Sequence, residues 1–518
     1  MKTNSQTRLF YFTFTFLIMV GASIDAMAQK VKVKLPDADY IISEAEAAAN
    51  QHYNQPNRPQ FHYTPIQGFV GDATGMVSYE GEHHLFYMSD KWERRKNKSK
   101  RWGHAITKDF LHWEEMPSVL DKVQDNGPGS GSGIVDFNNT LGFATGTEKT
   151  LVIFYSDYGK GRGTCIAYST DRGRTWTRHP RNPVLPTLAL SDGSRDPLVF
   201  WHAPVNEWRM VRFDEKLGFS IFGSKNLLDW TLLSSMDEKF KFNECPDFME
   251  LPVEGGAPGE KKWVIFDAGM NYVIGAFDGQ KFIPETDKLR GEMGFTKNIY
   301  AAQAWKNTIE GNLTQKTVPV QMAFMPYTME QRFTWHNLMT FPCELRLKKV
   351  AEGIRLCRLP VSEISQLYGD EKSWKETPLK AGENLFSDLH GDTYDIDAEF
   401  ELAEASAVNL GIRGQTVRCG LQKLEVGDRN SSIKLSGNRL HLRLLVDRSS
   451  IEAFVDEGQI SITKVAFFDP ANMNYTLSSE GGEVRVISMV VHRVKSIWGE
   501  NGLPSKPVVT DPSPHHTP

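Results

Sequence analysis

The chain has 518 residues, with 59 Lys and Arg against 64 Asp and Glu and a net charge of −5. That balance argues against nucleic acid or an anionic membrane as the main partner, and the length exceeds what one hydrophobic core normally fills, so two domains are expected. The 5 cysteines, Cys165, Cys245, Cys343, Cys357 and Cys419, are too few and too scattered for a disulfide framework and show no paired metal-ligand spacing.

In chain order, residues 1–28 carry Lys2 and Arg8, an apolar run from Leu9 to Val20, and an Ala26-Met27-Ala28 triplet. This is the layout of a secretory signal whose core is too short to span a bilayer comfortably. The expectation is a secreted or periplasmic protein with no membrane anchor after cleavage; the alternative is an uncleaved anchor. Residues 29–57 form an N-terminal extension in which ISEAEAAANQ, near residue 45, reads as helical. The basic cluster Lys91–Arg101 (KWERRKNKSKR) reads as a solvated loop.

Two interleaved repeats occupy residues 58–358. The first is a hydroxyl residue, then Asp or Asn, then a turn, then Trp: Thr107, Asp109, Trp113; Ser169, Asp171, Trp176; Ser224, Asn226, Trp230. It reads as a hairpin turn with an aromatic residue on the outgoing strand. The second is a Gly/Asp-rich turn leading into two apolar strands, as in GDATGMVSYEGEHHLFYM, SGSGIVDFNNTLGFATGTEKTLVIFY, SRDPLVFWHAPVNEWRMVRF and NECPDFMELPVEGGAPGEKKWVIFD, with KNIYAAQAW and VQMAFMPYT as a fifth candidate. Together they make four strands per unit, the blade of a β-propeller with a repeat of about 40–50 residues. Residues 359–385 are expected as a linker containing the helical VSEISQLYG, 386–497 as a β-sandwich of alternating strands, and 498–518 as a disordered Pro-rich tail. The fold class is thus all-β, a five-bladed β-propeller followed by a C-terminal β-sandwich.

Asp72, Asp196 and Glu244 occupy the same place in three copies of the second repeat, the turn entering the first strand. In a propeller those innermost strands line the axis, so the three acids would converge on one end of one funnel. Like charges held together raise one another's pKa, and such a cluster calls for a metal or an acid/base task. A Ca²⁺ site needs six to eight oxygen ligands, roughly, whereas these loops offer one acid each, with Asp247 as a second beside Glu244. Glycoside hydrolysis needs one ionised and one protonated carboxyl flanking the bond, and fits better, with no metal and no cofactor. Each acid taken alone is equally a turn or cap residue. Arg195 would hold a neighbouring carboxylate ionised and donate to sugar hydroxyls. Trp92, Trp102 and Trp305 near the same turns could present flat faces to a sugar, although packing is the commoner role of any one of them.

The stretches SRDPLVFW, NECPDFMELP, SGSGIVDFNNTLGF, WGHAITKDFLHW, CIAYSTDRGRTWTRHPRNPVL and LLVDRSSIEAFVD resemble glycoside hydrolase family 32, the fructan hydrolases and invertases, over residues 58–495. The resemblance implies a propeller and sandwich that cleave β-fructofuranosidic bonds with retention. It implies Asp72 as nucleophile, Glu244 as general acid/base, Asp196 as the stabiliser that grips fructose hydroxyls, and Arg195 and Ser130 as residues lining the sugar pocket. The chain departs from the family pattern at the nucleophile. Gly71-Asp72-Ala73-Thr74 after Phe69-Val70 stands where Asn-Asp-Pro-Asn after Trp-Met is usual, Met88 stands where Gln is common, and Cys343 where Arg is common. The expected partner is a fructan or fructo-oligosaccharide. A fructan-binding protein without turnover, and a hydrolase of another furanoside or pentosan on the same propeller, remain as alternatives, and the oligomeric state is left open.

Overall fold

The computed structural model describes residues 52–499 and 502, apart from 91–100, 122–126, 159–162, 188–192, 237, 294–297, 307–317, 328–333, 404–405, 434 and 436. The signal segment, the helix expected near residue 45, Trp92 with the cluster at 91–100, and the tail beyond 502 lie outside these residues. Among the described residues no helix is long and apolar enough to cross a membrane.

The repeats fold as five blades, each a run of antiparallel strands starting at the axis. The innermost strands are Gly68–Tyr79, Pro128–Asp136, Arg195–His202, Asp247–Glu254 and Tyr300–Trp305. The next strands outward, such as Thr150–Asp157 (TLVIFYSD), are almost continuously apolar because both faces of each blade are covered. Blades one and two share Val77, Phe86, Trp102, Ile153 and Tyr155, and blades two and three share Val152, Phe154, Met210 and Phe222. Phe200, Ile221, Phe248 and Val273 fill the space between blades three and four, and Val264, Tyr272, Met325 and Leu345 that between four and five. The ring is closed by backbone as well, since Gly68 and Phe69 pair in parallel with Trp335 and His336 from the end of blade five.

The hydroxyl-Asx-Trp repeat is the turn from third to outermost strand in blades one to three, and its side chains explain its sequence. Asp109 Oδ1 accepts from the N–H groups of Leu111 and His112, Asp171 Oδ1 from Arg174 and Thr175, and Asn226 Oδ1 from Leu228 and Asp229. A short polar side chain thereby satisfies the orphan donors of the turn. Phe110, Arg172 and Leu227, each directly after the Asx residue, take left-handed φ values of 61°, 57° and 64°.

In the sandwich, Tyr368–Leu379, Val484–Val494, Tyr394–Leu402, Arg439–Asp447, Ser450–Val455 and Ile460–Val465 form one sheet. Arg429–Ser432, Lys423–Val426, Gln415–Gly420, Ala407–Ile412 and Tyr475–Glu480 form the other. The inward residues of both sheets make one core, including Ile396, Phe400, Leu410, Val417, Leu442 and Val486. Two expectations are corrected here. Segment 359–385 is not a bare linker: Ser362–Leu367 is a 3₁₀ turn, and Tyr368–Leu379 is an edge strand paired with Val484–Val494, its polar alternation having hidden it. The tail is not free at its start, because Trp498 stacks on Tyr53 at 3.5 Å and its indole N–H donates to the Pro59 carbonyl at 2.8 Å.

Candidate active site

Bulges aim the side chains at the axis. The inner strands of blades one, two, three and five each lose register with their neighbour near their N-terminal end, between Val70 and Ala73, Pro128 and Gly131, Arg195 and Leu198, and Tyr300 and Gln303. An extra residue bends a strand and re-aims its side chains, a device common beside active sites. Asp72, Ser130 and Asp196 sit in the first three of these bulges. Asp196 and Cys245 hold left-handed φ values of 58° and 54°, unusual for residues other than glycine and consistent with local strain retained at a site.

Hydrogen bonds across the blades then set the acids. Ser130 Oγ donates to Asp72 Oδ2 at 2.6 Å. Ser156 Oγ accepts from the Asp196 N–H at 2.7 Å and donates to the Ser130 carbonyl at 3.1 Å, tying blade three to blade two. The Cys245 N–H donates to Asp196 Oδ2 at 3.0 Å, and its thiol lies 3.5 Å from that oxygen and 3.9 Å from Asp72 Oδ2. One sulfur atom therefore touches two of the three acids. Glu244, the next residue back, is gripped on both oxygens: Tyr300 Oη donates to Oε1 at 2.6 Å and Arg195 Nε to Oε2 at 2.7 Å. Asn243 Nδ2 in turn donates to Tyr300 Oη at 2.7 Å, and the Arg195 guanidinium lies over the Phe213 ring at 4.5 Å.

The electrostatics follow from this crowding. Burial, then the charges of Glu244 and Asp72, push the Asp196 carboxyl up to about 7 against the opposing Arg195 and Cys245 N–H. Burial and the same three acids raise the Cys245 thiol well above its ordinary range, so it is present as a neutral donor rather than a thiolate. The Tyr300 phenol is raised by burial and by Glu244, which keeps its proton on the hydrogen bond.

Asp72, Asp196, Glu244, Arg195 and Ser130 are thus brought together at one end of the axis. Trp102 and Trp305 are not. Trp102 is fully buried between blades one and two with its N–H on the Gly129 carbonyl, and Trp305 is 3 % exposed with its N–H on the His84 carbonyl. Neither offers a face to a ligand, and packing, the ordinary role of a large ring between blades, accounts for both. Cys245, Tyr300 and Ser156 were not singled out as site residues from sequence. Tyr300 stands at the entrance of the fifth repeat unit, KNIYAAQAW, the place the acids occupy in theirs. That alignment was the available signal.

The floor beside Asp72 is apolar. A Cβ added at Gly71 would lie 2.6 Å from Phe69 Cε1 and 3.3 Å from Met88 Cβ, so the Phe69 ring fills the space a side chain at 71 would need. Thr74 is turned away and fully buried, its hydroxyl donating to the Gly131 carbonyl at 2.9 Å and accepting from the Gly131 N–H at 2.7 Å. Gln303 reinforces the same joint, donating to the Gly131 carbonyl and accepting from the Met76 N–H.

Residues 62–360 match the model of the glycosyl hydrolases family 32 N-terminal domain, and residues 363–493 match that of its C-terminal domain. The chain belongs to glycosyl hydrolase family 32. Among its family 32 relatives, a levanase of Bacillus subtilis (strain 168) is 34% identical over 502 residues, which cover 88% of this chain and 73% of the levanase. An extracellular exo-inulinase of Aspergillus niger is 27% identical over 86% of this chain and 96% of its own length. The crystal structure of exo-inulinase from Aspergillus awamori superposes with a TM-score of 0.75 at 25% identity, covering 86% of this chain and all (100%) of that one. Fructan 1-exohydrolase IIa from Cichorium intybus, at 20% identity and a TM-score of 0.70, shares the fold.

Proposed function

We propose that the protein is a secreted, retaining hydrolase of β-fructofuranosidic bonds in fructans or fructo-oligosaccharides. The observation that carries the reading is the convergence of Asp72, Asp196 and Glu244 on Cys245 and Arg195, in a chain related to levanase and exo-inulinase. In the first step the Asp72 carboxylate attacks the anomeric carbon, the glycosidic C–O bond breaks, and Glu244 delivers its proton to the departing oxygen. In the second, Glu244 takes a proton from water, whose oxygen attacks the same carbon and releases Asp72 from its ester. Ser130 and the Arg195–Tyr300 pair hold the two carboxyls in orientation, while Asp196 accepts from sugar hydroxyls. Among the described residues no group of His, Cys, Asp and Glu is arranged to hold a metal ion. A binding protein without turnover would have no use for an ordered proton donor opposite a gripped nucleophile. The signal-like N-terminus and the extracellular relative support secretion.

The test is release of fructose from levan, inulin and sucrose by the wild type, Asp72→Asn and Glu244→Gln. Loss of at least about 10³-fold is expected for Asp72→Asn. Glu244→Gln should lose polymer hydrolysis yet still form some glycosyl-enzyme from a substrate with a good leaving group. Cleavage of arabinan with none of the fructans cut would overturn the substrate assignment, and full activity in Asp72→Asn would make that residue a turn residue only.

A further inference from the structure

With Trp102 and Trp305 buried, the flat sugar-binding surface expected at this site has to come, among the described residues, from another side chain. Four large apolar side chains are exposed among the described residues, Tyr158, Val205, Leu232 and Ile283, and Tyr158 is the aromatic one, at 43%. It directly follows the second strand of blade two, Thr150–Asp157, at the end of the propeller that carries the acids. Its hydroxyl end is packed inward over Gly129, where an added Cβ would come within 2.3 Å of Cε2 and 2.7 Å of Oη, so glycine at 129 is what lets the ring lie there. Gly129 is adjacent to Ser130, the donor to Asp72. Burial, then the neighbouring Asp196, Cys245 and Asp72, keep the phenol protonated against the opposing Arg195. One end of the ring is therefore anchored beside the acids, in a residue that is 43% exposed.

We propose that Tyr158 is a specificity-determining residue that receives the sugar unit next to the scissile bond, on the leaving-group side, against its exposed ring. The inference rests on the hydrolase reading above. The fructosyl unit under attack has to reach Asp72 and Glu244 inside the funnel, so a half-exposed ring at its mouth meets the following unit. A tyrosine suits that task because it offers a rigid, amphipathic surface that loses little conformational entropy on contact, with a hydroxyl at its anchored end.

The experiment compares wild type, Tyr158→Ala and Tyr158→Phe on two substrates, a fructosyl fluoride, whose leaving group carries no sugar, and a fructo-oligosaccharide. Thermal melting of each variant checks the fold. Tyr158→Ala is expected to lower kcat/KM on the oligosaccharide by about tenfold or more while staying within about twofold of wild type on the fluoride, since only contacts away from the reacting centre are lost. Tyr158→Phe, which keeps the ring, should retain most of the oligosaccharide activity. An equal fall on both substrates, or no fall on the oligosaccharide, overturns the proposal. Calorimetry with the oligosaccharide in the inactive Asp72→Asn background reads the same contact without turnover, and equal affinity with and without Tyr158→Ala likewise overturns it. A wild type that binds the oligosaccharide but cuts neither substrate overturns the hydrolase reading alone.

Discussion

Asp196 is where the demands of folding and of the site conflict. Its carboxyl is raised to about 7 by burial and by its acidic neighbours, against about 3.9 in an unfolded chain. Between those values the native state holds a proton that the unfolded state has lost, so stability falls as pH rises from about 4 to about 7, and the full penalty is present above that. Asp196→Asn, which keeps the shape without the charge, should stabilise the protein by about 1–3 kcal/mol near pH 8 and by much less near pH 5, while reducing kcat/KM. Melting curves in the two buffers check this; equal gains at both pH values would contradict it. The nucleophile turn supports a second expectation. Gly71 has no side chain and Thr74 spends its hydroxyl on Gly131, so neither offers the fructosyl unit the side-chain hydrogen bond, worth about 0.5–1.5 kcal/mol, that the Asn usual at each position could make. Remote contacts on a longer chain can compensate, so kcat/KM should be higher on a fructo-oligosaccharide than on sucrose, and direct comparison of the two decides it.

At the scale of the element, the Asx turns and the inner-strand bulges divide the work. Asp171 accepts from the N–H groups of Arg174 and Thr175 and from the Thr175 hydroxyl, on the outer side of blade two. Asp171→Ala leaves those donors to water and should destabilise the protein by about 1 kcal/mol in chemical denaturation, with kcat/KM within about twofold of wild type. A large loss of activity at unchanged stability would show that this turn communicates with the site. These turns were legible in the sequence because their chemistry is local: a hydroxyl, an Asx residue and a Trp recur at fixed offsets. The bulges that aim Asp72, Ser130 and Asp196 were not, because a bulge is a mismatch between two strands and belongs to neither sequence alone.

Across the whole molecule, the sandwich signature RLLVDRSSIEAFVD serves as a clamp on the propeller. His62, at the entry to blade one, is fully buried between Asp447 Oδ2 at 2.8 Å and Glu452 Oε1 at 2.9 Å. Asp447 Oδ2 also accepts from the His62 N–H, and Glu452 Oε1 from the Phe341 N–H. Arg358, at the end of blade five, donates to Glu452 Oε2 at 3.4 Å. Burial alone would lower the His62 pKa, but the two carboxylates outweigh it and raise it to about 9. The stabilisation from His62 is accordingly complete below its unfolded value of about 6.5 and is lost as pH rises through about 9. The depressed carboxyls of Asp447 and Glu452 act in the opposite sense, their contribution being lost as pH falls below the ordinary carboxylate range. His62→Ala strands two buried carboxylates and should cost about 3–5 kcal/mol. Denaturation of the variant, with limited proteolysis between residues 358 and 394, measures it; a change below about 1 kcal/mol would show that the apolar cluster of Phe61 and Phe341 with Leu445 and Phe454 suffices without the clamp.

The sequence by itself determined the all-β class, the blade count and the three acids, because each is written in short-range form: apolar alternation, turn residues at fixed offsets, and one carboxyl at a matched place in three repeats. It also carried Arg195 and Ser130, through motifs contiguous in the chain. Only the tertiary structure decided which aromatic rings face the site. Trp102 and Trp305 are drawn between blades, where a large ring buries the most area, while Tyr158 is held at the mouth by the absence of a side chain at Gly129. It likewise decided that Cys245 joins Asp72 to Asp196 and that Tyr300 and Arg195 share Glu244. Those contacts join residues far apart in the chain, and their geometry depends on closure of the ring, which no local pattern encodes.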